Sequence, residues 1–167
     1  MTIDDIQKQY GDDVRIVWKH DVVHPQVATS AALATCAAQK QGKFWELEGA
    51  IWDKGWANGR MSDISEEAIV KMASEIGLNT DKLKADMAGN ECKELIQKDQ
   101  AQLAQVGVRG TPAFFINGRP LSGAQPIDRF KAVIDEELKK ANDAIKAGKK
   151  PEEIYSSIVA SGKKSVQ

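Results

Sequence analysis

Cysteine and histidine are scarce in this chain. Its 167 residues include two cysteines, Cys36 and Cys92, and two histidines, His20 and His24. The cysteines form no Cys-x-x-Cys motif, and so few ligands cannot assemble a zinc-type cluster. We therefore expect no metal site and no cofactor. The sequence does not determine whether Cys36 and Cys92 form a disulfide. For Cys36 we prefer a buried free thiol that acts as a small apolar side chain.

An excess of basic residues and a long apolar run are also absent. The chain has 23 basic and 24 acidic residues, with a formal net charge of −1, so it lacks the basic balance of a nucleic-acid binder. No apolar run approaches the roughly 20 residues of a membrane helix, and the first ten residues lack the apolar core of a signal peptide. We expect no nucleic-acid partner, no membrane insertion, and a cytoplasmic location unless a leader or upstream segment is missing.

Apolar residues recur at helical spacing along most of the chain. This spacing predicts helices that begin near residues 2, 25, 43, 63, 79, 90, 126 and 151. In the helix predicted for residues 90–106, the buried stripe would consist of Leu95, Ile96, Leu103 and Val106. The segment from 63 to 76 would open with an Asp-x-x-Glu capping box at Asp63.

Strand signals are few. The β-branched segment VRIVWK at 14–19 predicts one strand, and PAFFI at 112–116 predicts another. Asn117-Gly118 favours a type I′ turn into a return strand, RPLSG. The order is helix, strand, a block of helices, hairpin, helix, which predicts an α/β fold. Its sheet would be smaller than the usual five or six strands.

Several segments together resemble the DsbA-like branch of the thioredoxin superfamily. They are YGDDVRIVWKH, HPQVATSAALA, QGKFWELEGAIW and GVRGTPAFFINGRPLSGAQPIDRFKAVIDEEL, which lie between about residue 2 and residue 145. The resemblance implies one thioredoxin-like domain over 1–167 with an inserted helical subdomain. The core would be 1–24 and 107–146, the helical insertion 25–106, and the C-terminal helix and tail 147–167.

The resemblance also implies a function and a binding site. Members oxidise, reduce or isomerise protein disulfides, typically in the periplasm or elsewhere outside the cytoplasm, so the partner would be a cysteine-containing or extended polypeptide. Arg109, Gly110, Thr111 and Pro112 would form the substrate ledge, with a cis peptide bond before the proline. Lys19 would be a charged residue near the site, paired with buried acid groups.

One departure from the family pattern bears directly on activity. Family members carry Cys-x-x-Cys after a first, central strand, and no such strand or motif exists in this sequence. TIDDIQKQYGDDV resembles the second half of the helix that carries the motif, so we expect an N-terminally truncated domain that has no catalytic residue and is redox-inactive alone. The missing strand predicts self-association or strand exchange. A non-catalytic peptide-binding module is the alternative, and whether the chain is an enzyme stays open.

Overall fold

The computed structural model describes residues 2–56 and 64–162. Its helices are α1 (Thr2–Tyr10), α2 (Pro25–Gln39), α3 (Phe44–Ala50), α4 (Glu66–Glu75), α5 (Thr80–Ala88), α6 (Asn90–Gln105), α7 (Ile127–Lys146) and α8 (Pro151–Ala160). A 3-10 turn, Gly11–Asp13, follows α1, and a π-helical turn, Ile51–Trp56, follows α3. The strands are β1 (Ala113–Ile116) and β2 (Arg119–Ser122). The α/β prediction is confirmed, with helices predominating.

The chain divides into two compact units. Residues 2–18 and 104–162 form one, called here the hairpin unit, and residues 19–56 and 64–103 form the other, called the helical unit. The domain boundaries given above stay a prediction. The helix predicted to open at Asp63 begins at Glu66, where the Ser65 hydroxyl accepts a hydrogen bond from the Ala68 N–H. Asp63 itself lies outside the described residues.

The two strands of the hairpin unit are antiparallel. Ala113 lies opposite Ser122 and Ile116 opposite Arg119, so Asn117 and Gly118 form a two-residue turn. Both have positive φ, 48° and 84°, which a type I′ turn requires and which Asn-Gly supplies at low cost. The predicted turn is confirmed.

One face of this hairpin is covered by helices. Ile6 of α1 and Phe130 and Ile134 of α7 are buried, and Phe114, Ile116 and Leu121 of the hairpin pack against them. The rings of Phe114 and Phe130 meet edge to face, with centroids 4.8 Å apart, a favourable aromatic geometry. Side chains alternate along a strand, so Phe115 points to the opposite face, where it is exposed.

The predicted strand at 14–19 is not formed. Val14 is extended, and burial alternates as in a strand, with Val14 and Ile16 half-buried and Arg15 and Val17 exposed. Among residues 2–56 and 64–162, however, no neighbouring strand pairs with this segment, because β1 pairs with β2 alone. β-Branched residues favour extended backbone, but a strand also needs a partner for its hydrogen bonds.

The core of the helical unit is built from α2 to α5 and the residues that join them. α2 contributes small side chains, Ala34, Ala37 and Ala38, which let α3, α4 and α5 approach closely. Leu47, Ile69 and Leu83 fill the centre and are fully buried. α6 buries a different set from the predicted stripe. Cys92, Ile96 and Asp99 are its buried residues, whereas Leu95 is 42% exposed, so the prediction was wrong at Leu95.

Truncating Leu47 should destabilise the helical unit much more than truncating Leu95. Leu47→Ala leaves a cavity in a side-chain environment that is 0% exposed, and such changes cost about 2–5 kcal/mol. Leu95→Ala removes the same atoms from a half-exposed site and should cost less than about 1 kcal/mol. Urea unfolding of both variants followed by circular dichroism measures the difference. Equal losses would contradict this description of the core.

Candidate functional site

The segment between α6 and β1 ends in four consecutive exposed residues. Gly107 ends α6 with φ of 76°, and its N–H donates to the Ala104 carbonyl at 3.1 Å. Arg109, Gly110, Thr111 and Pro112 follow and are all exposed, and the Thr111–Pro112 bond is cis. We call these four residues the ledge. The ledge runs directly into β1, so the four residues predicted as a binding site lie together at the start of a strand.

The outer edge of β1 carries backbone groups that β2 does not use. In an antiparallel pair, alternate residues direct their N–H and C=O groups toward the partner strand. The Gly123 N–H donates to the Pro112 carbonyl at 2.9 Å, so the residues at 112, 114 and 116 face β2. Ala113 and Phe115 therefore direct their N–H and C=O groups outward. Nothing within residues 2–56 and 64–162 forms a backbone hydrogen bond with them.

A hollow lies between the ledge and the hairpin. It encloses about 470 Å³ and is lined by residues 106–115 and 120–123. Val108, Phe115 and Pro120 give it an apolar surface, and Arg109 and Thr111 add a guanidinium and a hydroxyl. Ligand sites commonly combine an apolar wall with a few polar groups that fix orientation. The hollow thus has the composition of a site for an apolar side chain beside a polar or anionic group.

Ion pairs and a hydrogen bond join α7 to β2 and α1 in the hairpin unit. The Arg119 guanidinium of β2 contacts Glu136 at 2.5 Å and Glu137 at 3.2 Å. Burial would raise the pKa of Glu137, but hydrogen bonds from Lys140 and Arg119 outweigh it and lower this pKa. The Tyr10 hydroxyl of α1 donates to Asp135 at 2.6 Å. Burial and that carboxylate raise the pKa of Tyr10 to about 12, so the phenol stays protonated.

The chain matches the profile of a known protein family. The profile of the DSBA-like thioredoxin domain matches residues 2–135, which include the ledge, both strands and the start of α7. The chain belongs to the DSBA-like thioredoxin domain family. The resemblance seen in the sequence is confirmed at this level. No solved structure gives a significant match.

Curated relatives of this DSBA-like domain are much longer proteins. The Na(+)/H(+) antiporter NhaA of Herminiimonas arsenicoxydans is 31% identical over 132 residues, which are 79% of this chain and 20% of that protein. NhaA 1 of Mycobacterium sp. strain KMS is 31% identical over 126 residues, 72% of this chain and 19% of that protein. NhaA 3 of Salinispora tropica is 28% identical over 142 residues, which are 83% of this chain and 21% of that protein. The chain spans about a fifth of the length of these relatives.

Among the described helices, none is long and apolar enough to cross a membrane.

Lys19 is paired with a buried carboxylate in the helical unit of the DSBA-like domain. Its Nζ lies 2.7 Å from Oδ1 of Asp99 and 3.0 Å from the Gln102 side-chain oxygen. Oδ2 of Asp99 accepts the His20 backbone N–H at 3.1 Å. The Asp99 side chain is 4% exposed and that of Lys19 44%. A place for Lys19 at the binding site stays a prediction. Asp99 was missed because a lone acid within a polar helix carries no sequence signal.

The buried imidazole of His20 is sensitive to pH. Burial lowers its pKa below the ordinary 6.5, Asp99 opposes this, and Lys19 lowers it further. The ring packs edge to face on Phe44, with centroids 6.2 Å apart. Protonating this ring therefore places a positive charge in a poorly solvated site.

The two cysteines of the domain are bonded to each other. Cys36 of α2 and Cys92 of α6 form a disulfide with Cα atoms 5.8 Å apart. The preferred sequence interpretation, a free buried thiol at Cys36, was wrong. It failed because the helical packing that brings residues 36 and 92 together is not visible in the local sequence. This bond lies in the helical unit, and neither thiol is free to act as a nucleophile.

The free energy of unfolding should fall as the pH drops from about 7 to about 5. The pKa of His20 is lowered in the folded protein, so the unfolded chain binds more protons than the folded one below the ordinary pKa of about 6.5. The free energy of unfolding then falls by up to about 1.4 kcal/mol per pH unit for this one proton. His20→Gln should flatten this dependence, whereas His24→Gln, at an exposed position, should preserve it. Urea unfolding at several pH values measures both slopes. Equal slopes for the two variants would contradict the role given to His20.

Proposed function

We propose that this DSBA-like domain binds an extended polypeptide segment along the ledge and the outer edge of β1, without Cys-x-x-Cys redox chemistry. One observation carries the proposal. The exposed ledge leads into Ala113 and Phe115, whose outward N–H and C=O groups have no backbone partner among the described residues. An extended peptide supplies complementary groups at the same spacing.

Main-chain pairing would supply the affinity. A strand laid beside β1 can exchange hydrogen bonds with both Ala113 and Phe115, since each offers one donor and one acceptor. Pro112 does not interrupt this pairing, because its position in the ladder faces β2, where its carbonyl accepts from Gly123. This part of the affinity would therefore depend little on the amino-acid sequence of the peptide.

Side-chain preference would come from the hollow beside the ledge. An apolar side chain of the peptide can rest on Val108, Phe115 and Pro120, and the cavity of about 470 Å³ is large enough for it. Arg109, which lines the hollow, favours an acidic group next to that side chain. The proposed ligand is thus an extended segment with an apolar residue close to an Asp or Glu.

Redox chemistry of the thioredoxin type would need an accessible thiolate. The cysteines here are consumed in a disulfide whose residues are 4% and 0% exposed. We therefore propose that the domain lacks the oxidoreductase activity for which the family is known. The antiport named for the curated relatives is not part of the proposal, because the chain corresponds to about a fifth of each.

A second candidate is association between copies through the same edge. A two-stranded sheet is marginal by itself, and an open edge invites another strand. The predicted strand at 14–19 belongs to no sheet among the described residues, and its Val17 is exposed. Self-association or strand exchange would satisfy both surfaces. Light scattering over a range of protein concentrations separates this candidate from peptide binding.

Phe115→Lys should weaken peptide binding at least tenfold, by about 1.4 kcal/mol or more. The lysine removes the apolar wall of the hollow and places a charge on the strand edge. Tyr155→Lys is the matched control, since Tyr155 is an aromatic residue of the same unit that is 68% exposed on α8. Its affinity should stay within about twofold. Fluorescence anisotropy with a labelled peptide that alternates Val and Thr and contains one Glu measures both.

Two further samples complete the experiment. The same peptide with N-methyl groups on alternate residues should bind weakly, because it cannot complete the ladder. An insulin-reduction assay should show no turnover above the thiol background. Equal binding by the wild type and Phe115→Lys would refute the proposed peptide site, and turnover comparable to that of an intact family member would refute the proposed lack of redox activity.

A further inference from the structure

The disulfide of the helical unit joins α6 to a core to which α6 contributes little. The buried residues of α6 are Cys92, Ile96 and Asp99, spaced by four and three positions so that they share one face. One is half of the disulfide and one is a carboxylate, which leaves Ile96 as the buried aliphatic side chain. An ordinary docked helix buries a broad apolar stripe instead.

The apolar cluster of the helical unit is complete without α6. Its buried members come from α2, α3, α4, α5 and the segments between them, and none of the described members belongs to α6. α2 packs most extensively on α5 and α3. The hydrophobic free energy that stabilises this cluster therefore does not depend on where α6 lies.

Polar contacts supplement the disulfide at two points on α6. Lys40, one turn after Cys36, contacts Asp86 at 2.6 Å and Glu91 at 2.7 Å. Glu91 is highly exposed, so that ion pair contributes little. The Asp99 carboxylate is held by Lys19 and by the His20 N–H. Unlike the Lys40–Glu91 ion pair, the covalent bond to α2 is not weakened by solvent or salt.

A reductant cannot reach this bond while α6 is docked. Cys92 is 0% exposed and Cys36 4%, and thiol–disulfide exchange requires a thiolate to approach one of the sulfur atoms. Reduction must therefore await a local opening of α6, of the kind that proteins undergo without global unfolding.

We infer that the Cys36–Cys92 disulfide is a reducible clamp that fixes α6, and that reduction releases α6 while α2 to α5 stay packed. The reductant is a dithiol. One of its thiolates attacks a protein sulfur and expels the other cysteine as a thiolate, and its second thiol then resolves the mixed disulfide. Two electrons and two protons pass to the protein, which holds two thiols, and the reductant becomes a disulfide. The clamp stays closed under oxidising conditions and opens under reducing ones.

Hydrogen exchange of the full chain, followed by mass spectrometry, tests the clamp. After incubation with dithiothreitol, amides of α6 should exchange at least about tenfold faster than in the oxidised protein. Amides of α2 and α5 should change by less than about twofold. The double variant Cys36→Ala/Cys92→Ala should reproduce the reduced pattern without reductant. If that variant does not fold, wild type folded oxidised and then reduced still gives the comparison.

Lys40→Met separates the covalent link from the ion pairs at the same place. It removes both contacts of Lys40 and leaves the disulfide intact, so α6 should keep the protection of the oxidised wild type. Unchanged protection of α6 after complete reduction would overturn the inference. So would equal acceleration in α2, α5 and α6, since that result would mean that the whole helical unit unfolds together.

Discussion

The outer edge of β1 leaves the hairpin unit with backbone groups that its own strands do not pair. Burying backbone N–H and C=O groups without hydrogen-bond partners costs free energy. β1 pairs these groups with another strand on one side only. The inner side is paired with β2, and Phe114 and Ile116 anchor the hairpin on α1 and α7. The outer side can be satisfied by water or by another strand. The exposed ledge leads directly into this edge, and the hollow lies beside it.

The helical unit is stabilised by different means. Its alanine-rich α2 brings α3, α4 and α5 into close contact around Leu47, Ile69 and Leu83, whereas α6 is attached by a disulfide and by the contacts of Asp99. Apolar packing is insensitive to redox conditions, and a disulfide is not. The covalent bond joins α6 to α2 outside the main apolar cluster. The position of α6 therefore depends on redox conditions, whereas the packing of the core does not.

The sequence predicted the features that local chemistry determines. The helices follow from apolar spacing, the hairpin turn from Asn117-Gly118, and the family from the segment that contains Gly110, Thr111 and Pro112. The failures have tertiary causes. Residues 14–19 have the composition of a strand but belong to no sheet among the described residues. Cys36 and Cys92 pair because helix packing brings them together, and α6 buries Asp99 instead of Leu95 because Lys19 and His20 supply its partners.

Amide exchange at single residues of β1, measured by NMR, tests whether the outer edge of this strand is open and binds a peptide. In the free monomer, the amides of Ala113 and Phe115 should exchange rapidly, while those of Phe114 and Ile116, which face β2, should be protected. A bound extended peptide should slow exchange at Ala113 and Phe115 by at least about tenfold. Protection of these two amides in the free monomer, or no change when the peptide is bound, would mean that the outer edge of β1 is not an open peptide site.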